Sequence, residues 1–179
     1  MNITIRKMAS GDLGRLPDID DSFVVDSVLL LTLEENKIRY SVKPIQSYEK
    51  SYTEESEPAD YSVYLDNPDQ AVYLAFAGNQ PAGLAAVKRN WNEYAYIEDI
   101  KVDSAFRRNG IGRRLMEQVK RWAQEKGLAG ITLETQNNNV KACKFYESCG
   151  FEIGGFDLCL YKGMDQHQDE IALYWYLTF

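Results

Sequence analysis

The run Arg107-Arg108-Asn109-Gly110-Ile111-Gly112 combines the residue types that an anion-binding turn needs. Glycines at 110 and 112 let the backbone approach an anion with no Cβ in the way. From Ile111 onward, apolar residues recur at Ile111, Leu115, Val119, Trp122 and Ala123, which is one face of a helix. A turn that opens a helix points several backbone N–H groups at one place, and the helix N-terminus adds about half a positive charge. Arg107, Arg108, Arg113 and Arg114 bring further charge suited to phosphate. The chemistry expected is therefore the binding of a phosphate-bearing ligand. The run lacks the Gly-Lys-Ser/Thr ending of a P-loop. It is also not Gly-x-Gly-x-x-Gly, and no first βαβ unit precedes it, which disfavours a Rossmann site.

A second constellation follows at Asn139-Val140-Lys141-Ala142-Cys143-Lys144-Phe145-Tyr146-Glu147-Ser148-Cys149-Gly150-Phe151. Arg-x-x-Gly-x-Gly followed by Asn-x-x-Ala-x-x-Phe-Tyr-x-x-x-Gly-Phe resembles the cofactor core of the GNAT acetyltransferases, and the two motifs span residues 93–152. The resemblance implies acetyl-CoA as cosubstrate. In that family the strand before the Gly-rich turn receives the pantetheine arm, which implies Ile100, Lys101 and Val102 as docking backbone. It also implies a pyrophosphate over Arg107, Arg108, Asn109, Gly110, Ile111, Gly112 and Arg113. Asn139 matches the family asparagine that contacts the cofactor arm, and Tyr146 matches the tyrosine that protonates the departing thiolate.

An amine with a pKa of about 10 is mostly protonated at neutral pH, so a proton must leave before or during attack. Glu98, Asp99 and Glu134 are the candidate bases, and direct loss to water needs none of them. Successive strand residues face opposite sides, so only one of Glu98 and Asp99 is expected to meet substrate. Glu134 matches a position that some family members use as base. The stretches Tyr96-Ile97-Glu98-Asp99-Ile100, Leu133-Glu134-Thr135-Gln136, 150–157 and 171–176 are similar to the streptothricin acetyltransferase group within the family. That similarity implies the β-lysine amine of a streptothricin as acceptor, and antibiotic resistance as the outcome. A polyamine or protein-lysine N-acetyltransferase is the alternative, and a non-catalytic module that binds acetyl-CoA or drug is a third reading.

The elements that must position these residues are read from periodicity. Ile3 and Ile5 alternate as in a strand, and Ser10 is placed as N-cap of a short helix to about Leu16. Residues 23–33 and 37–43 suggest paired strands, and a helix is expected within 47–66. Residues 71–77 and 82–89 form a hairpin around Gly78-Asn79-Gln80-Pro81. A strand at 94–102, a helix at 110–126 ended by Gly127, a strand at 130–135, a helix at 139–148 ended by Gly150, and strands near 151–161 and 170–178 complete the chain. The expected fold is a mixed α/β (α+β) GNAT fold. Its central mixed, mostly antiparallel sheet has six to seven strands flanked by helices, with strand 94–102 central. The 179 residues are expected to form a single domain, with 1–70 as its substrate-side part.

Composition narrows the partners. Residues 1–70 hold 14 acids and 7 bases, whereas 71–179 hold 13 of each, so the net charge of −7 arises in the first part. This disfavours nucleic acid and favours a small cationic amine. Tyr48, Tyr52, Tyr61 and Tyr64 in the same part suit cation–π contact with such a guest. No run approaches the roughly 18 apolar residues of a membrane span, and no secretory leader is evident, so a cytoplasmic location is expected. A homodimer is left open. Cys143, Cys149 and Cys159 are expected as reduced thiols, and His167, the single histidine, as a loop residue. Neither set has metal-ligand spacing, so no metal is expected.

Overall fold

The computed structural model describes residues 2–15, 18–52, 59–164 and 166–179. The strands are β1 Ile3–Lys7, β2 Phe23–Glu34, β3 Lys37–Lys50, β4 Gln70–Ala77, β5 Gln80–Arg89, β6 Ala95–Val102, β7 Gly130–Gln136, β8 Glu152–Asp157 and β9 Ala172–Thr178. The helices are α1 Ile111–Glu125 and α2 Val140–Ser148, with short 3-10 turns at Ser10–Arg15, Tyr61–Tyr64 and Ser104–Phe106. Seven strands form a sheet in the order β1-β4-β5-β6-β7-β9-β8, and β2 and β3 form a separate pair. β6 is thus fourth of seven, at the centre, as expected. By contacts the chain falls into two compact units, one of residues 1–23 and 51–131, the other of 24–50 and 132–179.

In the first unit β1, β4, β5 and β6 pair antiparallel in succession. The β4–β5 turn is tight, because Gly78 takes φ +62° and the strand resumes at Gln80. Pro81 is accommodated beside a register shift at Ala75/Phe76. Helix α1 lies on β1, β4, β5 and β6. It buries Ile111, Leu115, Met116, Val119, Trp122 and Ala123, the face its periodicity predicted. Each fully buried aliphatic side chain on that face contributes about 1.5–3 kcal/mol relative to exposure. Gly127 ends the helix at φ +66°. A second cluster joins Met8, Ile19, Val72, Leu74, Leu84 and Ala86 to Tyr61 and Tyr64.

In the second unit β2 and β3 turn through Glu35 and Asn36, both at positive φ (50° and 59°), the two-residue geometry of a twisted hairpin. β3 runs to Lys50, so among the described residues of 47–66 the expected helix is replaced by strand and a short 3-10 turn. Alternation through Ile38, Tyr40 and Val42 starts the strand, which continues past Pro44 to Lys50. The one helical turn in that range is the 3-10 segment Tyr61–Tyr64; residues 53–58 lie outside the described residues. The short helix after Ser10 is likewise 3-10 rather than α, and its expected end at Leu16 lies outside the described residues. β8 stops at Asp157 instead of reaching 161. The Asp157 carboxylate accepts from Cys159 N (2.7 Å) and Leu160 N (3.1 Å), an Asx turn that ends the strand. The side chains buried in this unit include Leu29, Leu133, Cys143, Phe151, Leu173 and Trp175.

Candidate active site

The turn between β6 and α1 has the backbone shape that its sequence suggests. Arg108 and Gly110 both lie in the left-handed region, at φ +65° and +77°. Such curls gather successive N–H groups on one concave side. A non-glycine residue there is held at a cost of about 1–3 kcal/mol, which marks Arg108 as a strained position. The first turn of α1 carries no acidic residue, and Gly110 makes no side-chain cap. The first N–H groups of a helix have no partner within the helix itself. Arg108 and Arg113 are exposed beside it.

The arginines do not all serve the turn in the same way. Arg107 Nε donates to Val102 O (3.0 Å) and its Nη1 to Ser22 O (2.5 Å). Arg114 Nη1 donates to Ile3 O (2.8 Å). These two guanidiniums satisfy carbonyls of the surrounding chain and keep their positive charge beside the turn. Asn109 Nδ2 donates to Phe106 O (3.1 Å) and Arg107 O (3.2 Å), so its side chain pins the turn. Asp20 ties the 18–22 segment to the same place through Ser104 Oγ (2.5 Å), a bond that holds its carboxyl down at about 2. Ile100, Lys101 and Val102 pair with Ala85, Leu84 and Gly83 of β5. Gly83, which the sequence reading did not single out, is required there: a Cβ would come within 2.6 Å of Lys101 O.

Upstream on β6, Glu98 and Asp99 were expected to face opposite sides. The structure overturns that expectation. Ala86 pairs with Asp99 and Val87 with Ile97, so Glu98 is the extra residue of a β-bulge. Both carboxylates line one cavity of about 370 Å³, together with Asp60, Tyr61, Tyr64 and Lys88. Tyr61 donates its hydroxyl to Asp99 Oδ2 (2.7 Å), and Tyr64 donates to Glu98 Oε2. Lys88 pairs with Glu98 and Lys101 with Asp99 (3.3 Å). Burial first, and the neighbouring carboxylates second, push both tyrosine hydroxyls well above the usual phenol range. Of the tyrosines in the acidic N-terminal part, Tyr61 and Tyr64 act here through their hydroxyls rather than their ring faces.

In the second unit, Asn139 is the N-cap of α2, its Oδ1 accepting from Ala142 N (3.2 Å). Tyr146 is buried, with its ring near Phe145 (5.5 Å between centroids), Phe151 (6.1 Å) and Trp175 (6.1 Å). Glu134 on β7 accepts a hydrogen bond from Tyr161 (2.6 Å). Burial raises its pKa, and the Tyr161 bond opposes the rise without cancelling it. Lys50 pairs with Glu170 at 2.6 Å, and Glu170 Oε1 also receives Asn138 Nδ2 (2.9 Å) and meets His167 Nδ1 (2.9 Å). His167 lies in a turn, as expected, but is buried within this cluster. Among the described residues no group of His, Cys, Asp and Glu side chains is arranged to hold a metal ion. No described helix is long and apolar enough to cross a membrane.

Residues 42–151 match the model of the Acetyltransferase (GNAT) family. The chain is 36% identical to the streptothricin acetyltransferase of Escherichia coli over 159 residues, covering 89% of this chain and 87% of that protein. It is 32% identical to streptothricin acetyltransferase A of Bacillus subtilis (strain 168), covering 98% of this chain and 99% of that one. Among solved structures it resembles, with a TM-score of 0.93 and 50% identity, a Bacillus anthracis str. Ames protein assigned as a streptothricin acetyltransferase, in complex with acetyl coenzyme A. That match covers 99% of this chain and 100% of the other.

Proposed function

Because the chain belongs to the GNAT family of acetyltransferases, we propose that it transfers the acetyl group of acetyl-CoA to streptothricin, at the amine of the β-lysine arm, and so protects its host from that antibiotic. The enzyme is an acetyl-CoA-dependent N-acetyltransferase. Among the structural observations, the one that supports this reading most is the turn at 107–112. It combines left-handed Arg108 and Gly110, a first helical turn without acid, and exposed Arg108 and Arg113, a chemistry suited to a pyrophosphate. Bound acetyl-CoA supplies the activated thioester. The proposed holders are the backbone of Ile100, Lys101 and Val102 for the pantetheine arm, the turn Arg107 to Arg113 for phosphate, and Asn139 for the arm. Arg107 and Asn109 contribute mainly by shaping that backbone.

The remaining chemistry is proton management. Tyr146 is proposed as the acid whose phenol gives a proton to the departing thiolate; Phe151 and Trp175 hold its buried ring in place. Glu98, Asp99 and Glu134 are the candidates for the one proton acceptor, and direct loss to water needs none of them. Burial raises the proton affinity of Glu134, the direction that favours a proton acceptor, while Glu98 and Asp99 share a cavity suited to an ammonium group. The acidic first part of the chain favours encounter with a polycation. The reaction is proposed for the cytoplasm, where acetyl-CoA is made. A thiol-release assay tests the proposal: CoA should appear only when streptothricin and acetyl-CoA are both present, and expression should protect bacteria on streptothricin plates. No streptothricin-dependent thiol release would overturn it.

A further inference from the structure

The two carboxylates of the bulge have different surroundings. Both oxygens of Glu98 are engaged, Oε2 by Tyr64 and Oε1 by Lys88. On Asp99, Tyr61 and Lys101 both address Oδ2, and among the described residues no hydrogen bond reaches Oδ1. Asp60 adds a further negative charge to the cavity wall, from the segment before the 3-10 turn that carries both tyrosines. Neighbouring carboxylates facing one cavity repel each other unless donors hold them. A phenol that donates to a carboxylate makes a short, charge-assisted bond and fixes which oxygen stays open. Burial keeps both phenols protonated, and hence donors, throughout the working pH range.

We propose that Tyr61 and Tyr64 are positioning residues that divide the work of this carboxylate pair. Tyr64 and Lys88 fix Glu98 as a retained ion pair. Tyr61 turns Asp99 so that its open oxygen receives the ammonium of the acceptor. Lys88 is then held away from Asp99, where it would compete with substrate for the same charge. The inference rests on the amine-acetyltransferase reading of the site, and it adds two residues from the acidic N-terminal part that no motif marks.

The test is a pair of double-variant cycles, read as separate KM values for streptothricin and acetyl-CoA. Tyr61→Phe keeps the ring and removes only the donor. It should raise the streptothricin KM roughly tenfold, the effect of one charge-assisted bond, and leave the acetyl-CoA KM unchanged. Because Tyr61 acts through Asp99, adding Tyr61→Phe to Asp99→Asn should change kcat/KM by less than about twofold. Glu98→Gln releases Lys88 and should raise the streptothricin KM, and a further Lys88→Met should recover it. Tyr73→Phe, outside the cavity, serves as the control and should behave as wild type. Losses that multiply in the Tyr61/Asp99 cycle, or no recovery in the Glu98/Lys88 cycle, would overturn the division of roles. If Tyr61→Phe does not fold, the Glu98/Lys88 cycle decides alone. Wild-type protein that fails to acetylate streptothricin overturns the underlying reading instead, so the two failures are distinguishable.

Discussion

Glu98 and Asp99 in the first unit are partly open, each held by one phenol and one lysine. Glu134 and Glu170 in the second unit are mostly buried. Glu134 is driven toward its neutral form, and Glu170 is locked to Lys50, whose side chain is only 2% exposed. The contrast separates two uses of the same functional group. A half-solvated carboxylate exchanges one cation for another at little desolvation cost, so it suits capture of a guest ammonium. A buried ion pair adds little net stability, but it cannot lose one partner without leaving an uncompensated charge, so it suits a fixed clamp. The first unit is accordingly expected to respond to substitution in ligand affinity, and the second in turnover and stability.

Tyr146→Phe should show the largest effect. It should lower kcat by about 10²–10⁴-fold with acetyl-CoA affinity unchanged, measured by steady-state kinetics beside calorimetry. Wild-type turnover would remove the acid role. Lys50→Met should strand Glu170 in the second unit and lower stability by about 3–5 kcal/mol in denaturant titrations. Lys50→Met with Glu170→Gln should cost less, and equal costs would mean that the pair is not a clamp. Gly112→Asp should act in the first unit by setting a carboxylate against phosphate. A repulsion of about 2 kcal/mol weakens acetyl-CoA binding roughly 30-fold, and unchanged affinity in a folded variant would displace the phosphate site.

The smallest effect on stability is expected at Glu134. Its folded-state pKa is raised, so its contribution to stability is full below the ordinary glutamate value and is lost as pH rises through the raised one. Glu134→Gln should therefore match wild type in thermal melts near pH 4 and gain a small advantage toward pH 7. An advantage that grows in acid would contradict the burial argument.

Much of this was legible in the residues. Helix α1 follows from one apolar stripe and from Gly127, and the β4–β5 hairpin from Gly78-Asn79. What escaped depends on partners distant in sequence. The bulge at Glu98 is set by how β6 registers on β5, so alternation along β6 alone misplaces one carboxylate. Counting arginines near the turn could not show that Arg107 and Arg114 serve the carbonyls of Val102, Ser22 and Ile3. His167 sits in the polar run Gln166-His167-Gln168-Asp169, and its burial follows from Lys50 and Glu170, one of them far upstream. The tyrosines at 61 and 64 carried a signal, a pair spaced for one helical turn within an acidic stretch, but their carboxylate partners lie on another strand.

The most direct test of the account is competition among amines. Purified enzyme is given acetyl-CoA with streptothricin, spermidine, a lysine peptide and an aminoglycoside, and each product is identified by mass spectrometry alongside its kcat/KM. The account predicts that streptothricin has the greatest kcat/KM and gains a single acetyl group on the β-lysine arm. It also predicts that this preference weakens as salt rises and the Debye length falls from about 10 Å at 0.1 M to 3 Å at 1 M. A greater kcat/KM for any of the other amines, or acetylation elsewhere on streptothricin, would contradict it.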